Sequence, residues 1–291
     1  MTLPVVAGVD GSDSSLLAVD WAVDEAYRHG VPLRLVHASL WERYEGAIPS
    51  AGPGRPGEQV LAEHLVAFAA ERAERRNPEV KVTTEVLPDD AAAALVRAGD
   101  GAFVLVTGSR GRGQLKGMLL GSVGLAVAAR APCPVIVVRG DRAGIAGTHE
   151  RILLGLGSAE TTHEAVRFAF REAEARGCVL DVVHVWRTSA RDTTRGPGPR
   201  PDDPHAGEER IVAAFDAPLA EAAGQYPGVR TRRAAPEGPV GKVLVDRSAA
   251  ADLVIVGARR RTAGLFGLQL GRVNHALLHH AQCPVAVVPQ R

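Results

Sequence analysis

Ala18-Val19-Asp20-Trp21-Ala22-Val23-Asp24-Glu25-Ala26 is answered in the second half of the chain by Ala165-Val166-Arg167-Phe168-Ala169-Phe170-Arg171-Glu172-Ala173. A glycine follows each stretch (Gly30, Gly177), then a β-rich run closing on a histidine (His37, His184). Further on, Ala131-Pro132-Cys133-Pro134-Val135-Ile136-Val137-Val138 recurs as Ala281-Gln282-Cys283-Pro284-Val285-Ala286-Val287-Val288. Similarity held in register over such a length marks a duplicated architecture. The 291 residues suit two domains of ordinary size better than one core. The expected division is 1–140 and 150–291, joined where Gly, Arg, Asp and Thr interrupt the apolar pattern over 140–150.

Each half carries the same order of elements. Residues 5–9 are a nearly continuous apolar run, the pattern of a strand buried on both faces. Helical spacing follows over 12–29, with Ser12 or Asp13 as candidate N-cap and Gly30 as the stop. Strands are expected at 32–38, 80–86, 102–107 and 134–138, with helices at 58–76, at 89–98 and from near Gly121. Gly/Pro-rich loops fall at 46–57 and, in the second half, 196–207. Strands alternating with helices imply parallel β-α-β crossovers. The expected fold is therefore α/β: two tandem, doubly wound, Rossmann-like domains, each on a five-stranded parallel sheet.

Composition narrows the function classes. The 34 basic and 33 acidic residues nearly cancel, leaving a formal charge of +1 and no electrostatic footprint for nucleic acid. No apolar run approaches the roughly 20 residues that span a bilayer, so no membrane association is expected. Met1-Thr2-Leu3-Pro4-Val5-Val6 lacks the basic start and apolar core of a secretory signal. Three scattered cysteines, Cys133, Cys178 and Cys283, are too few for a disulfide framework or a zinc cage. A cytoplasmic location is the expectation.

The chemistry concentrates after the fourth strand, in Thr107-Gly108-Ser109-Arg110-Gly111-Arg112-Gly113-Gln114-Leu115-Lys116-Gly117-Met118-Leu119-Leu120-Gly121-Ser122-Val123. Open α/β sheets bind ligands beyond the carboxyl ends of their strands. Glycines let the backbone approach a phosphate and adopt left-handed angles, so that successive amides face one anion. A helix opening at Gly121-Ser122-Val123 adds free N–H groups and the positive end of its dipole. Arg110, Arg112 and Lys116 read equally as phosphate clamps or as solvated surface. The G-x4-G-K-[S/T] loop is absent, and Gly155-Leu156-Gly157 only half matches a dinucleotide fingerprint because Glu160 stands where a glycine belongs.

Gly108, Gly111 and Gly121-Ser122 fit G-x2-G-x9-G-[S/T], and this spacing resembles the nucleotide signature of ATP-binding universal stress proteins. Val9-Asp10-Gly11-Ser12 and the A-P-C-P-V-x-V-V tail are also similar to that family, and the likeness spans almost the whole chain. The resemblance implies an ATP-binding stress-response protein in which nucleotide acts as a regulatory ligand. It implies that Gly8, Val9 and Asp10 hold adenine and ribose, and that Ala38 lines the adenine pocket. Thr107 and Gly108 would lie beneath the nucleotide, with Gly111, Gly121, Ser122 and Val123 on the phosphates. Magnesium would accompany the ATP. It further implies edge pairing of the last strands, here 134–138 and 284–288 within one chain, with homodimers of whole chains as a further possibility. A slow ATPase or phosphotransfer enzyme, a nucleotide-free scaffold, and AMP or a cyclic nucleotide as ligand stand as alternatives. No base or nucleophile for water activation is visible.

The second half departs from the signature. Gly157 replaces Asp10, Arg260 stands at the second loop glycine, and the loop ends in Gly271-Arg272. Either this copy has lost the site, or Arg259, Arg260, Arg261 and Arg272 neutralise phosphate themselves. Blander readings sit beside the rest. Asp10 also suits a helix cap, and His37 and His184 suit hydrogen-bonded core positions. His275, His279 and His280 suit an exposed helix face rather than a metal site. Trp21 and Phe168 read as core, and Trp41 and Trp186 as packing near strand ends.

Overall fold

In the computed structural model, residues 2–40, 57–111, 120–157, 163–186, 216–259 and 270–290 are described. Trp41, Arg112, Lys116, Arg260, Arg261 and the two Gly/Pro-rich loops, apart from Gly57, lie outside the described residues. The first half runs β1 (Val5–Gly8), α1 (Asp13–His29), β2 (Leu33–Ala38), α2 (Gly57–Arg76), β3 (Val82–Leu87), α3 (Ala91–Ala98), β4 (Val104–Gly108), α4 (Ser122–Arg130) and β5 (Val135–Val138). After α5 (Arg142–Ala146) the second half runs β6 (Arg151–Leu156), α6 (His163–Arg176), β7 (Val179–His184), α7 (Asp216–Gln225), β8 (Thr231–Ala234), α8 (Val240–Ser248), β9 (Leu253–Arg259), α9 (Arg272–His280) and β10 (Val285–Gln290).

Each half contributes five parallel strands, and the ten form one sheet in the order β3-β2-β1-β4-β5-β10-β9-β6-β7-β8. The sheet is mixed, because β5 and β10 meet antiparallel, with Val135, Ile136 and Val137 opposite Val287, Ala286 and Val285. All six of those side chains are buried. Two apolar layers flank the sheet. Trp21, Phe168 and their helices α1, α2, α6 and α7 cover one face. Helices α3, α4, α8 and α9 cover the other, through residues such as Leu95, Val127, Leu244 and Leu277.

Local chemistry sets the element ends. Ser12 caps α1, its hydroxyl accepting from the Ser15 amide, and Gly30 closes it in the left-handed region. Asp90 caps α3, accepting from the amides of Ala92 and Ala93 at 3.1 Å. The charged helix α2 is clamped on α1 by two bidentate pairs, Arg72 on Asp20 and Arg76 on Asp24. The join at 140–150, expected to be irregular, contains α5, capped by Asp141 on the Gly144 amide at 2.8 Å. Five residues are too short to leave a periodic signal. Gly140 permits this crossing: its φ is +102°, and a Cβ there would lie 2.1 Å from the Gln282 carbonyl oxygen.

Candidate functional site

The connections from β1 and from β4 leave in opposite directions, so a crevice opens past the carboxyl ends of these two central strands. It holds a cavity of about 290 Å³. Gly8, Val9 and Asp10 reach it from β1, Ala38 from β2, and Thr107, Gly108 and Gly111 from β4 and its loop. Gly121, Ser122 and Val123 enter at the start of α4. All ten residues named from the sequence thus border one space, and Ser15, His37, Ala91, Leu95 and Arg110 also line it.

Space, rather than backbone angle, dictates Gly108 and Gly111. None of Gly108, Gly111 and Gly121 has a positive φ, so the left-handed angles expected in this loop do not occur at these three glycines; Gly113 and Gly117 lie outside the described residues. A Cβ on Gly108 would stand 2.5 Å from the Ser14 carbonyl oxygen, and one on Gly111 would stand 2.6 Å from Asp10 Oδ2. The loop is therefore pressed against the first turn of α1. There the Ser14 hydroxyl donates to the Arg110 carbonyl, and the Arg110 amide donates back to Ser14 Oγ at 3.2 Å. Gly121 closes the far side, its amide donating to the Ser109 carbonyl at 2.8 Å.

Asp10 is not the helix cap that one reading allowed. Its Oδ1 accepts from the Ser12 amide at 2.9 Å and the Ser12 hydroxyl at 2.6 Å, and Ser12 does the capping. Asp10 thereby orients the cap while its second oxygen faces Gly111. His37 is half-buried at the cavity wall, hydrogen-bonded as expected, with Nδ1 2.7 Å from the Val9 carbonyl oxygen. His184 holds the matching position beside the Leu156 backbone, and burial lowers its pKa.

Two features of the cavity leave polar groups facing it without a partner. The first turn of α4 has no side-chain cap at Gly121, leaving its opening N–H groups to whatever occupies the crevice. The Thr107 hydroxyl is buried and lacks a hydrogen-bond partner. Such groups are costly unless something pairs with them. Among the described lining residues Asp10 is the one carboxylate. That donor set suits a magnesium ion brought by phosphates, with Asp10 and Ser122 at hand, rather than a cage made by protein.

The second half differs at points that the sequence reading missed. Val256 takes the place of Thr107, so the buried hydroxyl is gone. Asn274, at the position of Gly124, is buried and donates through Nδ2 to the Gly257 carbonyl at 3.2 Å. In the first half a Cβ at Gly124 would lie 3.5 Å from the equivalent Gly108 oxygen, so Asn274 fills room that the first half keeps open. The register of the repeat could have shown both changes. Neither falls on a glycine of the motif, where attention was fixed.

The fold and crevice define a tandem, doubly wound α/β protein with an open cleft at the switch point of its first half. The profile of the universal stress protein family matches residues 1–139 and again 148–289, and the chain belongs to that family. The universal stress protein Rv2005c of Mycobacterium tuberculosis is 33% identical, over 98% of this chain and 97% of its own length. A universal stress protein of Archaeoglobus fulgidus superposes with a TM-score of 0.71, at 17% identity, over 99% of this chain and 98% of that one. A universal stress protein solved in complex with cAMP is 30% identical over 47% of this chain and 97% of its own, with a TM-score of 0.36. Among the described residues, no helix is long and apolar enough to cross a membrane.

Proposed function

We propose that this chain is a stress-response regulator that binds ATP, with magnesium on the phosphates, in the crevice of its first half. The observation that carries the reading is the convergence on one cavity of an uncapped helix amino end and the unpaired Thr107 hydroxyl. Gly8, Val9, Asp10 and Ala38 would take the nucleoside, Thr107 and Gly108 its underside, and Gly111, Gly121, Ser122 and Val123 the phosphates. Close packing of the loop on α1 makes occupancy a stabiliser of that contact, which is how a ligand shifts a conformational or assembly equilibrium. The second half, lacking the acid and the hydroxyl and filled by Asn274, stays empty.

The domains are taken as 1–140 and 150–291, held together in solution by the β5–β10 pairing, in the cytoplasm, with homodimers of whole chains as a further level of assembly. Pairing there covers two apolar sheet edges that would otherwise invite aggregation. Arg110 supplies charge at the cavity wall, and we take the nucleotide as a ligand rather than a substrate.

Mass spectrometry of small molecules released from the purified, denatured chain tests the ligand. ATP supports the proposal, AMP or cAMP replaces the nucleotide named, and no nucleotide, together with no heat on titration with Mg-ATP, leaves an empty scaffold. Incubation with radiolabelled ATP tests the enzyme alternative: steady turnover that Gly121→Trp abolishes would make the protein an ATPase.

A further inference from the structure

At the seam between the halves, α1 and α6 bury four ionisable side chains against one another. Glu25 and Glu172, equivalent in the repeat, are both wholly inaccessible to solvent. Arg176 spans them, Nη2 donating to Glu25 Oε2 at 2.6 Å and Nε lying 3.3 Å from Glu172 Oε2. His29 closes the other side, its Nε2 3.1 Å from Glu172 Oε1 and 3.4 Å from Glu25 Oε1. Arg28 reaches Glu25 Oε2 at 3.2 Å from the rim.

Rings seal the group. Phe103 lies 4.7 Å from the His29 ring, Trp21 lies under Arg176, and Arg171 covers the Phe103 ring. Cys178 also lies near the group, and burial pushes its thiol up to about 11, so it stays neutral.

The repeat makes this arrangement close to two-fold. Each glutamate is followed one helical turn later by a cation, but the first half uses histidine where the second uses arginine. Besides Arg28 at the rim, the two equivalent positions therefore hold one permanently charged cation and one that can lose its proton.

We infer that Glu25, His29, Glu172 and Arg176 form a proton-sensitive clasp between the two halves, which tightens in mild acid and loosens as pH rises. Two carboxylates so close cannot both ionise cheaply in a dry site, so they retain a proton, and the His29 proton is held between them. Burial and the Glu25 charge push Glu172 up to about 7. Burial acts against the charged form of His29, but hydrogen bonds to Glu172 and Glu25 outweigh it and carry His29 up to about 9. Burial likewise opposes ionisation of Glu25, yet Arg176 and His29 hold it well below the usual carboxylate range.

The direction follows from linkage. Glu172 and His29 have folded values raised above 4.5 and 6.5, so each stabilises most below that value. Their contributions fade between 4.5 and about 7 and between 6.5 and about 9. Glu25, depressed, loses its contribution only far into acid. A divalent ion in the same Glu25–His29–Glu172 triangle would have to displace the His29 proton and compete with the Arg176 guanidinium for the Glu25 carboxylate. The proton needs no such rearrangement.

The test is a histidine-ring NMR titration of the full-length chain, beside thermal midpoints measured across both pH windows. His29 should stay protonated until about pH 9, and Glu172→Gln should bring its titration down toward 6.5. The wild-type midpoint temperature should fall through both windows, and that of Glu172→Gln should fall less. Titration of wild-type His29 near 6.5, or equal pH slopes in the two proteins, would overturn the clasp. So would a shift of the wild-type midpoint on adding zinc chloride or EDTA, which would make the triangle a metal site. If Glu172→Gln does not fold, the wild-type titration decides alone.

Discussion

Thr107→Val removes one oxygen and keeps the shape of the side chain, and its effects on stability and affinity should have opposite signs. Thr107 is 5% exposed, and its hydroxyl is an unpaired group inside the cleft. Leaving such a group unmatched costs about 1–3 kcal/mol. Valine avoids that cost and suits the end of a strand, as Val256 does at the same place in the second half. The ligand-free variant should therefore denature later, by up to that amount. If ATP recruits the hydroxyl, the variant forfeits a hydrogen bond worth about 0.5–1.5 kcal/mol, or about twofold to twelvefold in Kd. Urea titration of the nucleotide-free chain and calorimetric titration with Mg-ATP give the two numbers. A variant that is less stable and binds equally well would refute the idea that Thr107 waits for a ligand.

Other changes test the walls of the cleft. Gly108→Ala drives a Cβ into the backbone of Ser14, an overpacking that costs about 1–3 kcal/mol and should lower both the thermal midpoint and nucleotide affinity. Asp10→Ala strips Ser12 of its acceptor, a charge-assisted contact worth about 1.5–3 kcal/mol, and should lower the thermal midpoint as it abolishes binding. In the second half, Arg260→Gly alone should create no second site by calorimetry, because Asn274 and Val256 remain. Burial pushes the Cys133 thiol up to about 12 and Cys178 to about 11, and also raises Cys283. All three should stay silent to a thiol reagent at neutral pH until the protein is unfolded, as followed by absorbance.

Much of the fold was legible because its signals are periodic and repeated. Trp21 and Phe168 fall at matching helical positions and both are core. The glycine spacing after β4 led to residues that do border one cavity, and at Gly108 and Gly111 close approach to Ser14 and Asp10 excludes any larger side chain. What stayed hidden depends on contacts between distant segments. A glutamate within a helix reads as solvent-facing, and only the meeting of α1 with α6 buries Glu25 and Glu172. The unmatched hydroxyl of Thr107 has no sequence signature, since satisfaction is a property of surroundings. Asn274 looks like an ordinary polar residue near a helix start until its bond to Gly257 is seen.

Calorimetric titration of the nucleotide-free chain with Mg-ATP, beside Gly121→Trp, tests the central claim most directly. A Cβ at Gly121 meets only ordinary contacts of 3.7 Å and beyond, so the variant should fold while its indole fills the mouth of the cleft. The account predicts one nucleotide per chain for the wild type and none for the variant. No binding to the wild type, two nucleotides per chain, or undiminished binding by Gly121→Trp would contradict it.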